Sequence, residues 1–389
     1  MLTCQKEKFN LPEDISYLNC AYMAPLLEKV KQAGYQGIAA KESPFQIVVS
    51  DFFEPAEEVK KLYARLINAS DSNRIAIIPS VSYGMANVAK NVNISSENNI
   101  VLVEEQFPSN YYAWKRLADE SGASIKIVPA AKNDENRGEC WNQQILEAID
   151  SQTALAAVPN VHWADGTKFD LKSIRQRTSE VGALLIIDGT QSVGALPFDL
   201  AEIQPDALIC AGYKWLLGPY AFGLAYYGDY FDGGRPIEET WINRDKSEHF
   251  QGLVKYQNDY KPKAFRYNVG EFSNFILLPM MKAALEQLQE WQVGKIQAYC
   301  KRMTAPFLRQ FEEMGCWIEK ENFRGNHLFG VRLNDHFDLE KLKIEFEKKR
   351  VFVSLRGSAI RIAPHLYNDE KDFEKLLSCF TNARTKVLV

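Results

Sequence analysis

Seven short apolar runs, separated by segments with helical periodicity, occupy the middle of this chain. The runs are Ile75 to Ile78, Ile100 to Val103, Ile125 to Val128, Ala154 to Val158, Ala183 to Ile187, Ala207 to Ala211 and Phe222 to Tyr227. Continuously apolar runs are typical of strands buried on both faces of a parallel sheet with helices between the strands. The pattern therefore predicts an α/β domain built on a seven-stranded, mostly parallel sheet.

Two charged residues follow neighbouring runs. Asp188 comes directly after the run that ends at Ile187, and Lys214 follows the run that ends at Ala211. Ligands of such sheets bind outside the carboxyl ends of the strands, so both side chains are expected at one edge. The pair suits pyridoxal phosphate (PLP), because the amine can form an imine with the aldehyde while the carboxylate keeps the pyridine nitrogen protonated. Each residue alone has an ordinary alternative, since aspartates cap helices and lysines are usually solvated.

Two further segments could hold the same cofactor. Ser80 and Ser82 lie where the run ending at Ile78 meets a predicted helix, and backbone N–H groups at a helix start favour a phosphate. The alternative is a serine that caps the helix. Phe107 follows the run that ends at Val103, where its ring could stack on the pyridine ring, although a core phenylalanine is the ordinary reading.

A strand-like stretch near the carboxyl end offers a site for an amino-acid carboxylate. Its alternation places Arg361 opposite Ile360 and Ile362, and a guanidinium binds a carboxylate with two parallel hydrogen bonds. Arg356 could act as a second cation, and an exposed surface arginine explains it equally well.

Five separated segments, in order, carry a family resemblance. They are Tyr17 to Pro25, Ile77 to Gly84, Glu105 to Trp114, the Asp188 and Lys214 region, and Arg361 to Asn368. By these residues the chain resembles the class V branch of the fold-type I PLP enzymes, which holds kynureninase, the cysteine desulfurases and several aminotransferases. The resemblance implies a fold-type I PLP-transferase fold, with the sheet sandwiched by helices and a smaller α+β domain at the carboxyl end.

The resemblance also implies roles for individual residues. Tyr213 is expected to place its hydroxyl on the phosphate, and Gln191 to bond the phenolic oxygen of the cofactor. The opening segment is expected to bring substrate-binding residues to the active-site entrance. The implied cofactor contacts are Ser80, Val81, Ser82, Tyr83, Phe107, Asn160, His162, Asp188, Gln191, Tyr213, Lys214 and Ser273, and the implied substrate contacts are Arg361, Asn19, Tyr22 and His162.

Relatives complete the site as homodimers, in which a loop of the partner subunit reaches the phosphate. The equivalent loop here is residues 269–274, where Glu271 stands in place of the threonine that relatives often carry. An acidic side chain should not approach a phosphate, so backbone N–H groups or Ser273 would make that contact.

Length and composition predict a large enzyme with two domains. A chain of 389 residues is longer than the length at which proteins usually form a single hydrophobic core. We therefore expect a large domain at residues 20–270 and a small domain at residues 1–19 and 271–389. A net charge of −4 without a basic run gives no reason to expect nucleic acid or a membrane surface. No long apolar stretch and no signal-peptide core is present, which predicts a cytoplasmic protein. Seven scattered cysteines without a Cys-x-x-Cys pair predict free thiols and no metal site.

Several reactions are compatible with these residues. An aminotransferase acting on a small amino acid, with a 2-oxo acid as candidate acceptor, needs no group beyond those above. A lyase or hydrolase of the kynureninase type and an epimerase are alternatives. A cysteine desulfurase is disfavoured, because no cysteine lies between Glu345 and Arg361. Outside this class, the fold could serve as a catalytically dead scaffold, whereas a nucleotide enzyme is disfavoured by the lack of a Gly-x-Gly-x-x-Gly turn.

Overall fold

The computed structural model describes residues 1–131, 136–357 and 359–385. Its helices are α1 (Glu28–Ala40), α2 (Glu54–Leu66), α3 (Val81–Asn91), α4 (Tyr112–Ser121), α5 (Arg137–Ala148), α6 (Leu171–Val181), α7 (Leu200–Ile203), α8 (Leu277–Trp291), α9 (Val293–Glu313), α10 (Leu339–Lys348) and α11 (Glu370–Ala383). Its strands are β1 (Ser16–Tyr17), β2 (Ile75–Ile78), β3 (Asn99–Val103), β4 (Ser124–Val128), β5 (Thr153–Pro159), β6 (Leu184–Asp188), β7 (Ala207–Ala211), β8 (Gly223–Tyr227), β9 (Trp317–Ile318), β10 (Phe329–Arg332), β11 (Val351–Phe352), β12 (Ser354–Arg356) and β13 (Ala359–Ile362). None of the helices described here is long and apolar enough to cross a membrane.

The large sheet has seven strands in the order β2, β8, β7, β6, β5, β3, β4. Strand β8 is antiparallel to both of its neighbours, and the remaining pairs are parallel. The seven strands coincide with the seven apolar runs to within one or two residues at their ends. The predicted mostly parallel α/β fold is therefore confirmed.

Both faces of the sheet are largely buried along all strands except the edge strand β4, which explains why those strands are apolar. Along β6, Leu185 and Ile187 join one apolar cluster, whereas Ile186 joins a second cluster on the opposite face. Each of these side chains is fully buried. Burial of one such aliphatic side chain contributes about 1.5–3 kcal/mol, so alternate positions on the central strands stabilise the packing of both helical layers against the sheet.

A second, antiparallel sheet of the order β12, β13, β10, β9 lies in the carboxyl-terminal part of the chain. The amino-terminal segment joins this part, because β1 pairs with β11 and Asn19 bridges to Ala363. This smaller α+β unit is the one expected from the sequence. The proposed division at residues 19 and 270 stays a prediction.

A tight turn after β7 presents Lys214 at the carboxyl edge of the large sheet. The Gly218 N–H donates to the Gly212 carbonyl at 2.9 Å and closes the turn. A Cβ at Gly212 would lie 2.5 Å from the Phe222 carbonyl oxygen and would also clash with the terminal methyl of Met281. Glycine at position 212 is required by this close approach between the turn, the start of β8 and helix α8.

We expect Gly212→Ala to destabilise the protein by about 1–3 kcal/mol, because the Phe222 backbone must move to admit the methyl group. Gly294→Ala is the matched control. Gly294 lies in α9 with nothing within 4 Å of its Cβ position, so alanine there should be neutral or stabilising by up to about 1 kcal/mol. Urea-denaturation midpoints measure both effects, and equal midpoints for the two variants would contradict this packing argument.

Candidate active site

A cavity of about 290 Å³ opens at the carboxyl edge of the large sheet. Its walls come from segments that follow β2, β3, β5, β6 and β7 and from the segment that precedes β8. The structure brings together eight of the residues predicted from the sequence around this cavity: Ser80, Val81, Ser82, Phe107, Asp188, Gln191, Tyr213 and Lys214. Their convergence follows from the parallel topology, because parallel strands end at the same edge.

Lys214 supplies a buried amine to the cavity. Its side chain is 6% exposed, and its Nζ lies 5.4 Å from the centre of the Phe107 ring. Burial lowers the pKa of Lys214 to about 8, although the nearby Asp188 carboxylate acts in the opposite direction. A larger fraction of the amine is therefore neutral, and nucleophilic, near neutral pH than for an exposed lysine.

Asp188 supplies a buried carboxylate at the end of β6. Burial raises the pKa of Asp188, while the Thr190 backbone N–H, which donates at 3.0 Å, and the field of Lys214 lower it. A desolvated carboxylate facing a cavity gains most from a cationic partner. The site thus suits a protonated ring nitrogen.

The start of helix α3 forms another part of the cavity wall. Ser80 Oγ accepts a hydrogen bond from the Tyr83 backbone N–H at 3.2 Å and lies 2.9 Å from Ser82 Oγ. Ser80 is thus a helix cap and also lines the cavity. The Tyr83 side chain does not line it, because its hydroxyl donates to Glu238 at 2.9 Å.

Gln191 lies in the cavity wall with both ends of its amide engaged. Its Nε2 donates to the Ala21 carbonyl at 3.1 Å, and its Oε1 accepts from the Trp215 indole at 2.9 Å. Its backbone carbonyl lies 2.8 Å from Nε2 of His327, whose pKa burial lowers to about 4. These contacts hold Gln191, three residues beyond Asp188, in one orientation.

Arg361 lies beside the cavity and is fully buried. It donates to the Trp163 carbonyl at 2.7 Å and lies 3.4 Å from both Asn19 Oδ1 and Ser354 Oγ. Burial lowers the pKa of Arg361 to about 10, and the field of Arg356 acts in the same direction. Arg361 is therefore a buried cation that contacts the cavity residue Trp163 and whose polar contacts are all made with neutral oxygens.

Four other predicted residues lie apart from the cavity. His162 is fully buried, with its Nδ1 3.2 Å from Asp165 and its ring 5.0 Å from that of Trp141. Tyr22 is 57% exposed. Asn160 and Ser273 are buried outside the cavity lining. The roles proposed for these residues stay predictions.

Several cavity residues were not identified from the sequence. They are Gln106, Ser109, Trp163, Thr190 and Tyr220. Thr190 could have been found, because it lies two residues beyond Asp188 at the same sheet edge. Trp163 belongs to an irregular loop, and its ring packs edge-on against Phe107 with centroids 5.4 Å apart. Within the described ranges, no cluster of three or more His, Cys, Asp or Glu side chains could hold a metal.

The cavity therefore combines a nucleophilic amine, a desolvated carboxylate, a helix start with two serines and an aromatic wall. These groups fit the aldehyde, the ring nitrogen, the phosphate and the ring face of PLP. Lys214 would bond the aldehyde, Asp188 the ring nitrogen, and Ser80 and Ser82 the phosphate. When bound, PLP draws electrons from the α-carbon of an amino acid into its cationic ring. The fold and the site together define a PLP-dependent enzyme.

The chain belongs to the class V aminotransferase family, since the family model described as Aminotransferase class-V matches residues 24–361. Its cofactor is pyridoxal phosphate. The chain is 28% identical over 321 residues to the uncharacterized aminotransferase YcbU of Bacillus subtilis (strain 168), covering 82% of this chain and 81% of that relative. It is 25% identical over 341 residues to a probable cysteine desulfurase of Methanothermobacter thermautotrophicus, with coverage of 82% and 81%.

Solved structures show the same fold. A lysine-to-alanine variant of the protein C-DES, with glycine covalently linked to its PLP cofactor, matches with a TM-score of 0.84 at 17% identity, covering 98% of this chain and 100% of that chain. The apo cysteine desulfurase of Thermococcus onnurineus NA1 matches with a TM-score of 0.80 at 15% identity, covering 97% of each chain. The predicted fold-type I architecture is thus confirmed.

The lowered pKa of Lys214 predicts how fast the cofactor-free protein captures PLP. Because the neutral amine attacks the aldehyde, the capture rate should rise about tenfold per pH unit below pH 8 and level off above it. Stopped-flow absorbance of the lysine-bound cofactor measures this rate. Nα-acetyllysine in solution is the control, with a rate that rises up to about pH 10. A protein rate that follows the control would show that burial does not lower this pKa.

Proposed function

We propose that this protein is an aminotransferase acting on a small amino acid. One observation carries the proposal: a buried amine with a lowered pKa, Lys214 Nζ, shares the cavity with Asp188, while the buried Arg361 guanidinium donates to the backbone carbonyl of the cavity residue Trp163. Transamination needs a carboxylate anchor, an electron-withdrawing ring and one group that moves a proton. Arg361, Asp188 and Lys214 can supply the carboxylate anchor, the support of the cationic ring and the proton-transfer group, respectively.

Each residue has a distinct task in this proposal. The Arg361 guanidinium binds the substrate α-carboxylate and so fixes which bond of the α-carbon faces the ring. The neutral Lys214 amine accepts the proton from the α-carbon and later gives it up. Asp188 keeps the ring nitrogen protonated, and Phe107 covers the ring face and excludes water.

The relatives leave cysteine desulfuration as the main competitor, because a probable cysteine desulfurase is among them. That reaction uses a nucleophilic cysteine close to the substrate. The structure describes all seven cysteines of the chain, and none of them lines the cavity. Cys20, whose thiol is close enough to Lys214 to affect its charge, is fully buried, and burial raises its pKa. These facts favour transamination over desulfuration.

The assembly and location of the protein are proposals of the same kind. We infer a homodimer in which residues 269–274 of one subunit approach the phosphate of the other, and a cytoplasmic location. Ser273 is 5% exposed in the single chain, so backbone N–H groups of this loop are the better candidates for such a contact.

The proposed reaction predicts that L-amino acids convert the bound cofactor to its pyridoxamine form, which absorbs at shorter wavelength, and release a 2-oxo acid. A panel of L-amino acids read by absorbance and by mass spectrometry of the product tests this. Formation of pyruvate, ammonia and sulfide from cysteine, or of pyruvate, ammonia and cysteine persulfide from cystine, with no pyridoxamine form from any amino acid, would move the assignment to a lyase.

Two variants separate the remaining alternatives. We expect Lys214→Ala to lower the rate of the half-reaction by about 10²-fold to 10⁴-fold, because proton transfer at the α-carbon loses its base. With dithiothreitol present as the reductant that frees persulfide sulfur as sulfide, we expect Cys20→Ser to form as much alanine and sulfide from L-cysteine as the unaltered protein does. A loss of such release in Cys20→Ser would instead support a desulfurase. Unaltered protein that binds PLP and turns over no amino acid would support a scaffold.

A further inference from the structure

Two arginines of the small sheet lie side by side without an acidic partner. Arg356 ends β12 and Arg361 lies in β13, and these strands pair antiparallel. No carboxylate of the described residues lies within the 4.0 Å limit of an ion pair with either guanidinium. The Nε atoms of both are buried and lack a hydrogen-bond partner. Arg137 and Arg332, by contrast, both pair with Asp165, at 2.9 and 3.0 Å.

Trp163 connects the two arginines to the cavity. Its indole ring lines the cavity and lies 5.5 Å from the Arg356 guanidinium, and its backbone carbonyl accepts from Arg361 at 2.7 Å. Both guanidinium charges lower the pKa of Lys214, so their fields act at the reacting end of the cavity. The two cations therefore contact two parts of one cavity residue, Arg361 its backbone carbonyl and Arg356 its ring, and Arg356 also lines an adjoining depression.

Glu105 is the nearby acidic residue that could form an ion pair with Arg356 in place of a bound anion. Its carboxylate lies near Gly357, and its backbone carbonyl accepts from the Trp163 indole at 2.6 Å. The Glu105 side chain is nevertheless exposed and forms no ion pair with Arg356. Glu104 lines the same outer depression as Arg356, with its carboxylate accepting from the Ala130 backbone N–H at 2.7 Å. Neither acid neutralises Arg356.

We propose that Arg356 binds a second acidic group of the substrate while Arg361 binds its α-carboxylate. The substrate class is then amino acids with an acidic side chain, together with the matching dicarboxylic 2-oxo acids. This inference rests on the proposed transamination. Its chemical basis is that two adjacent, partly desolvated guanidiniums repel each other, and a ligand with two anionic groups relieves that repulsion while making charge-assisted hydrogen bonds.

The direct test compares two ligands of equal length, succinate with two carboxylates and butyrate with one. Isothermal titration calorimetry on the PLP-bound protein should show succinate binding about tenfold or more tightly than butyrate, since a hydrogen bond to a charged group is worth about one to two decades in affinity. In Arg356→Gln the two ligands should bind equally. An equal affinity in the unaltered protein would overturn the proposal.

Three further variants sharpen this result. Arg356→Lys should keep part of the preference, because it keeps the charge and loses the fork of donors. Glu105→Gln should retain or increase the preference, since it removes the competing carboxylate; a lost preference would show that Glu105, and not Arg356, sets the selectivity. Arg116→Gln, at an exposed position on α4, is the control and should match the unaltered protein.

Kinetics separate this inference from the proposed function. For an acidic amino acid, Arg356→Gln should raise KM about tenfold or more with kcat within about twofold, because the lost contact is made equally in the ground and transition states. Equal kcat/KM for acidic and neutral amino acids in the unaltered protein would overturn the substrate class and leave transamination standing. Absence of any half-reaction, with the succinate preference intact, would overturn transamination alone.

Discussion

The burial of Lys214 beside Asp188 is the constraint on which the rest of the structure depends. Taking an amine and a carboxylate out of water is unfavourable, and here it lowers the pKa of the first to about 8 and raises the pKa of the second. The protein tolerates this cost because the large sheet is buried on both faces and holds the two residues rigidly at adjacent strand ends. Lys214 is therefore a nucleophilic amine, and the neighbouring Asp188 carboxylate is stabilised when a cationic group binds beside it.

Each layer of the fold contributes to positioning that pair. Helix α8 packs against the Gly212 turn, so the carboxyl-terminal half of the chain helps to place Lys214. The amino-terminal segment pairs with β11 in the carboxyl-terminal part of the chain and brings Asn19 against Arg361. Trp163 then joins the two parts, since its ring faces the cavity and its carbonyl accepts from the small sheet.

The sequence predicted the sheet and its central pair because both depend on local rules. Apolar runs buried on two faces cannot be mistaken for surface strands, and residues directly after parallel strands converge whatever the helices do. The less regular loops were not predictable in this way. Tyr83 turns toward Glu238, a partner distant in sequence, and His162 turns inward to Asp165, which a salt bridge to Arg137 holds in place. The position of Trp163 in the cavity wall was not predicted, because strand periodicity does not determine side-chain directions inside a loop.

We infer that Lys214 is the residue that holds the cofactor. Reduction of the PLP-bound protein with borohydride fixes the carbon–nitrogen bond, and peptide mass spectrometry then locates the pyridoxyl group. If Lys214 holds the cofactor, the unaltered protein carries a single pyridoxyl group, at Lys214, and a Lys214→Ala protein exposed to the same PLP concentration carries none. A pyridoxyl group on another lysine in the unaltered protein, with Lys214 unmodified, would contradict it.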